Sequence, residues 1–138
     1  MTHRINHIAI AVKDIEQSRS LFGLVSKAAI SEVIEVPDQK VKVCFVETGE
    51  TKIELVQPTE GNVGVAKFLK NRGEGIHHIC LGVQDIDAEL AAYKAKGIRL
   101  IDETPRIGAE GHRVAFVHPQ STNGVLIELE ELESHKQS

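Results

Sequence analysis

The stretch GEGIHHICLGVQD, residues 73–85, repeats a phrase that stands near the start of the chain, RINHIAIAVKD at residues 4–14. Four positions match at a single offset of 71 residues: His7 with His78, Val12 with Val83, Asp14 with Asp85 and Ile15 with Ile86. In both copies a β-rich run ends at Asp-Ile and gives way to a helical pattern. The spacing is too long for a solenoid, so the chain contains a duplicated module.

A second agreement pairs TKIELVQP, residues 51–58, with GVLIELEE, residues 124–131, at an offset of 74 residues from Glu54 to Glu128. Each half is predicted to run strand, helix and then three strands, over residues 4–12, 14–22, 30–36, 40–47 and 51–57, and again over 76–83, 85–96, 98–101, 112–118 and 124–130. An Asp is expected to cap each helix and a Gly to close it. We expect a single domain, residues 1–138, with modules at about 4–58 and 76–131 joined by a linker helix at about 63–72.

The composition excludes several classes of function. The chain has 138 residues, 41% of them hydrophobic, and a formal charge of −4, which provides no basic field for nucleic acid. Aromatic residues make up 4% and Trp is absent, which argues against a base-stacking surface. No apolar run is long enough for a membrane span and no signal-peptide pattern is present, so we expect a cytoplasmic protein without a membrane partner. Cys44 and Cys80 lie in apolar runs and are expected to be buried, reduced thiols.

Strand alternation separates the two adjacent histidines. In residues 5–12 the face of His7 also carries two alanines, and in residues 76–83 the face of His78 carries Cys80 and Gly82. Both faces bear small side chains, as the lining of a cavity would. His77 falls on the opposite face, where packing or a hydrogen bond is its expected role. His78 is therefore the counterpart of His7.

Glu54 and Glu128 each stand between two large aliphatic residues in the middle of a predicted strand. Taken singly, such a Glu is usually solvated on an outer face, because burial without a partner is costly. The repeat instead favours a functional site, since each half supplies one His and one Glu at equivalent positions. Two imidazoles and two carboxylates suit a divalent metal ion with open positions for a substrate.

These residues resemble the vicinal oxygen chelate superfamily, which includes glyoxalase I, extradiol dioxygenases and fosfomycin-resistance proteins. Within it the chain is most similar to the methylmalonyl-CoA epimerase family. The resemblance is carried by residues 5–12, 51–58 and 65–83 and by the long run PRIGAEGHRVAFVHPQSTNGVLIEL, residues 105–129. It implies an α+β fold of two βαβββ modules that form a U-shaped, partly closed mixed sheet with a metal in its concave face.

The resemblance also implies a site and a reaction. The family's metal ligands fall on His7, Glu54, His78 and Glu128, which would hold one divalent ion per site: Co, Zn, Mn or Ni. The reaction implied is the interconversion of (2R)- and (2S)-methylmalonyl-CoA, with Glu128 as a catalytic base that removes the proton α to the thioester. The partner is then a small acyl-CoA substrate, and relatives suggest a homodimer.

One acid/base group is missing from this pattern. Epimerisation requires a second group on the opposite face of the planar intermediate, and the Glu that some members use there aligns with Val43. Glu47, His112 or a metal-bound water are the alternatives that remain open. Two rival functions stay open as well: a lactoylthiol lyase of the glyoxalase I type, and a non-catalytic protein that binds a metabolite or drug.

Overall fold

The computed structural model describes residues 2–132. Contacts within the chain divide them into two compact units. The first comprises residues 7–77, and the second comprises residues 78–132 together with residues 2–6. Each boundary lies inside a strand, β1 or β6, and each of these strands is described with the unit that holds most of its residues.

The first unit contains the expected strand–helix–strands order. Its elements are β1 (Arg4–Ala11), α1 (Ile15–Ser26), β2 (Ala29–Ile30), β3 (Ile34–Val36), β4 (Val41–Glu47), β5 (Lys52–Pro58) and α2 (Gly64–Arg72). The strands pair in the order β2–β4–β5–β1, β3 also pairs with β4, and β1 runs parallel to β5. The core of this unit lies where α1 covers the sheet, around Ile15, Cys44 and Leu55.

The second unit repeats this plan. Its elements are β6 (Gly75–Val83), α3 (Ile86–Ala95), β7 (Arg106–Ile107), β8 (Arg113–Val117) and β9 (Ile127–Glu131), with a 3₁₀ turn at Pro119–Ser121. The strands pair in the order β6–β9–β8–β7, and β6 runs parallel to β9. The core cluster under α3 consists of Val83, Ile86, Leu90, Ala115, Val117 and Leu129.

Both helices begin at the predicted caps. The Asp14 side chain accepts a hydrogen bond from the Gln17 N–H, and the Asp85 side chain accepts one from the Ala88 N–H, each at 3.1 Å. These bonds satisfy N–H groups that have no partner within the helix. The prediction for the end of α1 was wrong: the helix continues past Gly23 to Ser26 and is closed by Lys27 in the left-handed conformation (φ +58°).

Side chains that intercept backbone hydrogen bonds explain two further differences from the predicted strands. The strand expected at 30–36 is split in two, because the Ser31 hydroxyl accepts the Phe45 N–H at 2.9 Å and interrupts the ladder. The strand expected at 98–101 is reduced to one bridge between Leu100 and Val117. There the Asp102 carboxylate accepts the Phe116 N–H at 2.8 Å, which ends the pairing.

Candidate metal and catalytic centre

The first unit brings together one predicted His–Glu pair. His7 Nε2 lies 3.3 Å from Glu54 Oε1, and both side chains are buried. The pair forms because β1 and β5 are parallel neighbours in a register that sets Ala9 opposite Glu54. His7 stands two residues before Ala9, on the same face of its strand, as the alternation predicted.

The second unit brings together the other pair in the same way. His78 Nε2 lies 2.9 Å from Glu128 Oε1, and both side chains are again buried. β6 and β9 are parallel and Cys80, two residues after His78, stands opposite Glu128. The two modules therefore repeat their strand register as well as their sequence.

The spacing within each pair suits two ligands of one ion. Metal bonds of about 2.0–2.2 Å at tetrahedral or octahedral angles place neighbouring donor atoms about 3.0–3.5 Å apart. Both pairs lie close to this range, with donor atoms 3.3 and 2.9 Å apart. A buried carboxylate also requires a compensating charge or hydrogen bond, which an imidazole or a cation supplies.

A phenylalanine stands opposite each of these glutamates in the neighbouring strand, on the side away from the strand that carries the histidine. Phe45 on β4 pairs in register with Glu54, and Phe116 on β8 pairs with Glu128. The Phe116 ring contacts the His78 ring edge-to-face at 5.3 Å. Sequence reasoning missed this repeat, although both phenylalanines stand at the offset of 71 residues that the histidines have.

A second missed repeat ties each helix to its Glu-bearing strand. The Gln57 side chain accepts the Ile15 N–H at 2.8 Å, and the Glu131 carboxylate accepts the Ile86 N–H at 3.1 Å. Each acceptor stands three residues after the Glu of its pair. The start of the helix is thereby fixed to the strand that carries the carboxylate.

The remaining candidates are not members of the two His–Glu pairs. His77 is half-buried and packs edge-to-face on Phe68 of α2 at 5.1 Å between ring centres. Val43, at the position where the resemblance places a Glu in some members, is buried and apolar. Glu47 is exposed at the end of β4, opposite Lys52, as expected of a solvated surface residue.

Cys44 and Cys80 are free and buried, as expected. Burial raises the pKa of the Cys44 thiol, and the carboxylates of Glu16 and Glu54 add to this increase, while the Arg19 guanidinium opposes it. The Cys44 thiol is therefore held protonated more strongly than a thiol in water, and its side chain belongs to the core.

Comparison with known proteins places this chain among its relatives. The family model of the Glyoxalase/Bleomycin resistance protein/Dioxygenase superfamily matches residues 6–116. The chain is 43% identical to the mitochondrial methylmalonyl-CoA epimerase of Homo sapiens over 129 residues. These residues are 93% of this chain and 73% of the human protein. The chain belongs to the methylmalonyl-CoA epimerase family.

Two other members of the epimerase family support this assignment. The ethylmalonyl-CoA/methylmalonyl-CoA epimerase of Cereibacter sphaeroides is 41% identical over 134 residues, which are 96% of this chain and 100% of that protein. A solved methylmalonyl-CoA epimerase in complex with methylmalonyl-CoA and NH4+ superposes with a TM-score of 0.87 at 31% identity, covering 95% of each chain.

Membership of the epimerase family confirms the predicted α+β fold of this superfamily. Within residues 2–132, no helix has both the length and the apolar character that a membrane crossing would require.

Proposed function

We propose that this chain interconverts (2R)- and (2S)-methylmalonyl-CoA by moving the proton on the carbon between the carboxylate and the thioester. The observation that carries the proposal is the pair of equivalent, buried His–Glu contacts in a chain 41% and 43% identical to proteins named as epimerases of this substrate. The acyl-CoA is accordingly the expected small-molecule partner.

One divalent ion per site is the cofactor of this proposal, with His7, Glu54, His78 and Glu128 as ligands. Each module contributes one buried imidazole and one buried carboxylate at a spacing that suits neighbouring ligands. The donor set accepts Co, Zn, Mn or Ni, and metal availability decides among ions that such sites bind with similar geometry. When bound, the ion supplies a Lewis acid worth several kcal/mol of stabilisation for the charge that develops on the thioester oxygen.

Glu128 is the base that removes the α-proton in this mechanism. Its carboxylate is buried beside His78 and across from Phe116, so few water molecules compete for it. A general base positioned in this way contributes about 10²–10⁴-fold to the rate. The product of proton removal is a planar enolate, and inversion requires that a proton returns to its opposite face.

The test uses the metal-loaded protein with one epimer of methylmalonyl-CoA in deuterium oxide. Epimerisation with one deuterium at the α-carbon of the product is the expected result, read by mass spectrometry. If neither epimer exchanges its α-proton or inverts, the proposed reaction is wrong.

The same preparation separates the two rivals. Formation of a lactoylthiol from methylglyoxal and a thiol, without α-deuterium in methylmalonyl-CoA, would establish a lyase of the glyoxalase I type. A protein that binds no divalent ion on titration and catalyses neither reaction would be a binding protein. Stoichiometric metal with α-exchange supports the epimerase.

A homodimer is the proposed assembly. Three apolar residues of α1 are exposed, Leu21 by 57%, Leu24 by 77% and Val25 by 74%, and the last two lie one helical turn after Leu21. They form a continuous stripe, because residues three and four apart share one side of a helix. A stripe of this kind favours contact with another apolar surface, and a second copy of the chain supplies one.

Two other expectations stay predictions. The cytoplasmic location is one, since the relatives named above include a mitochondrial protein and a bacterial one. The organisation as one domain of two modules joined by α2 is the other.

A further inference from the structure

A second buried carboxylate lies on the same face of β9 as Glu128. Glu130 is buried, and it alternates with Leu129, which points into the core cluster of the second unit. The internal repeat does not explain Glu130, because the equivalent position in the first module is Val56. A buried carboxylate without a counterpart suggests a role that only one module performs.

Glu130 is held by His112, the residue that precedes β8. His112 Nδ1 lies 2.5 Å from Glu130 Oε2. The His112 side chain is 27% exposed and the Glu130 side chain 5%. The pair therefore extends from the buried face of β9 towards solvent.

The loop between β7 and β8 fixes the position of His112. The Gly108 N–H donates to the His112 carbonyl at 2.8 Å, and the Gly111 N–H donates to the Gly108 carbonyl at 3.1 Å. Gly111 has φ +84°, a conformation that favours glycine. This closed turn makes His112 part of the scaffold rather than a freely moving loop residue.

His112 lies on the face that carries the His78–Glu128 pair. Along β8 and the turn before it, the side chains of residues 112, 114 and 116 point to one face of the strand. Phe116, one of these residues, contacts the His78 ring. Val114 stands opposite Glu130 in the β8–β9 ladder. The contact between His112 and Glu130 agrees with this placement.

The spacing of Glu128 and Glu130 along β9 leaves room for proton transfer at two faces of one carbon. Residues two apart on a strand are about 7 Å apart along its axis, so Glu130 lies about that far from Glu128, and the His112 ring is held against the Glu130 carboxylate. Two acid/base groups, each about 3 Å from a planar carbon and on opposite sides, are about 6 Å apart.

We propose that His112 is the second acid/base group and that Glu130 is a positioning residue that orients it, an inference that rests on the proposed function. The Glu130 carboxylate accepts the Nδ1–H of His112, which makes Nε2 the ring atom that exchanges a proton with the substrate. His112 thereby takes the role of the Glu that some family members have where this chain has Val43.

Glu128 takes the α-proton from one face as the electron pair of the C–H bond passes into the enolate, and protonated His112 gives a proton from Nε2 to the other face. Glu128 is then protonated and His112 neutral, so the enzyme is ready for the opposite epimer. The starting state returns when Glu128 releases its proton to solvent and His112 takes one up.

Three variants test this assignment on the metal-loaded protein. His112→Gln removes the proton-transferring ring, and Glu130→Gln retains the shape of the side chain while removing its charge. The control is His118→Gln, which alters another half-buried histidine of the second unit, one whose Nδ1 accepts the Gln120 N–H. Each variant is incubated with each separate epimer in deuterium oxide, and inversion, α-deuterium and metal content are measured.

His112→Gln is expected to lower inversion by at least about 100-fold with full metal content, while one epimer still gains α-deuterium through Glu128 and the other gains none. Glu130→Gln is expected to show the same one-sided exchange with a smaller loss of inversion, and His118→Gln to match the wild type. A merely structural role would reduce the exchange of both epimers together.

Inversion by His112→Gln at the wild-type rate, or equal loss of exchange from both epimers, would overturn the assignment of His112. Exchange of the α-proton from both epimers in Glu130→Gln would overturn the role of Glu130. A wild-type protein that neither exchanges nor inverts would instead overturn the proposed reaction itself, so the two failures are distinguishable.

Discussion

Replacement of the two adjacent histidines, one at a time, tests the assignment of faces on which the metal site depends. His78→Ala removes a buried imidazole whose Nε2 lies 2.9 Å from Glu128. His77→Ala removes a half-buried ring that packs on Phe68. The two substitutions are chemically identical and adjacent in sequence, so any difference between them comes from the direction in which each side chain points.

The expected magnitudes follow from these contacts. Binding of a four-ligand ion is worth about 10–16 kcal/mol, or about 2.5–4 kcal/mol per ligand. His78→Ala should therefore weaken metal binding by about 10²–10³-fold. His77→Ala should leave affinity within about threefold, less than 1 kcal/mol. It should lower the free energy of unfolding by about 1 kcal/mol through the lost contact with Phe68.

Competition with a chromophoric chelator measures the affinity for Co²⁺ or Zn²⁺, and the visible spectrum of Co²⁺ reports on the coordination of the ion. Circular dichroism of the metal-free proteins shows that both variants are folded. Equal weakening by the two substitutions would refute the assignment of faces, as would binding by His78→Ala at wild-type affinity.

Glu128→Gln should lower the inversion rate by at least about 100-fold, because an amide cannot accept the α-proton; a coupled epimerisation assay with an unchanged rate would contradict this. Glu131→Ala, which leaves the Ile86 N–H without its acceptor, should lower the free energy of unfolding in urea by about 1–3 kcal/mol, whereas Glu103→Ala at a surface ion pair should change it by less than about 1 kcal/mol. Because burial raises the pKa of Cys44, its labelling by a thiol reagent at pH 8 should be much slower in the folded protein than in urea, and equal rates would count against a core position. Leu24→Glu should shift the mass measured by sedimentation from dimer to monomer, and an unchanged dimer would exclude the α1 stripe as its interface.

The His–Glu pairs could be predicted because two independent patterns select the same residues. Alternation fixes which side chains of a strand share a face, and the repeat shows which of them occur in both modules. His78 and Glu128 satisfy both conditions, and the structure places them in contact. His77 satisfies neither, since it has no counterpart in the first module and lies on the other face.

The breaks in the strands could not be predicted in this way. Ser31 and Asp102 end ladders by accepting N–H groups that belong to other strands, and such bonds join residues 14 apart in sequence. Hydrophobic periodicity reports burial along one segment and contains no information about a partner strand.

His112 was among the sequence-based candidates for the second acid/base group, but its contact with Glu130 was missed for a different reason. The repeat selects positions that occur twice, and Glu130 has an apolar counterpart. A function that one module performs alone is invisible to a comparison of the two modules.

The alternation of β9 has a consequence for folding. Leu129 lies in the core between two carboxylates on the opposite face, so a slip of one residue would turn Leu129 outwards and direct Glu128 and Glu130 into the apolar cluster under α3. Burial of two carboxylates without partners is prohibitive, and the slipped sheet is therefore disfavoured by more than the loss of native contacts. The acidic residues assigned to chemistry thus also mark the correct register while the chain folds.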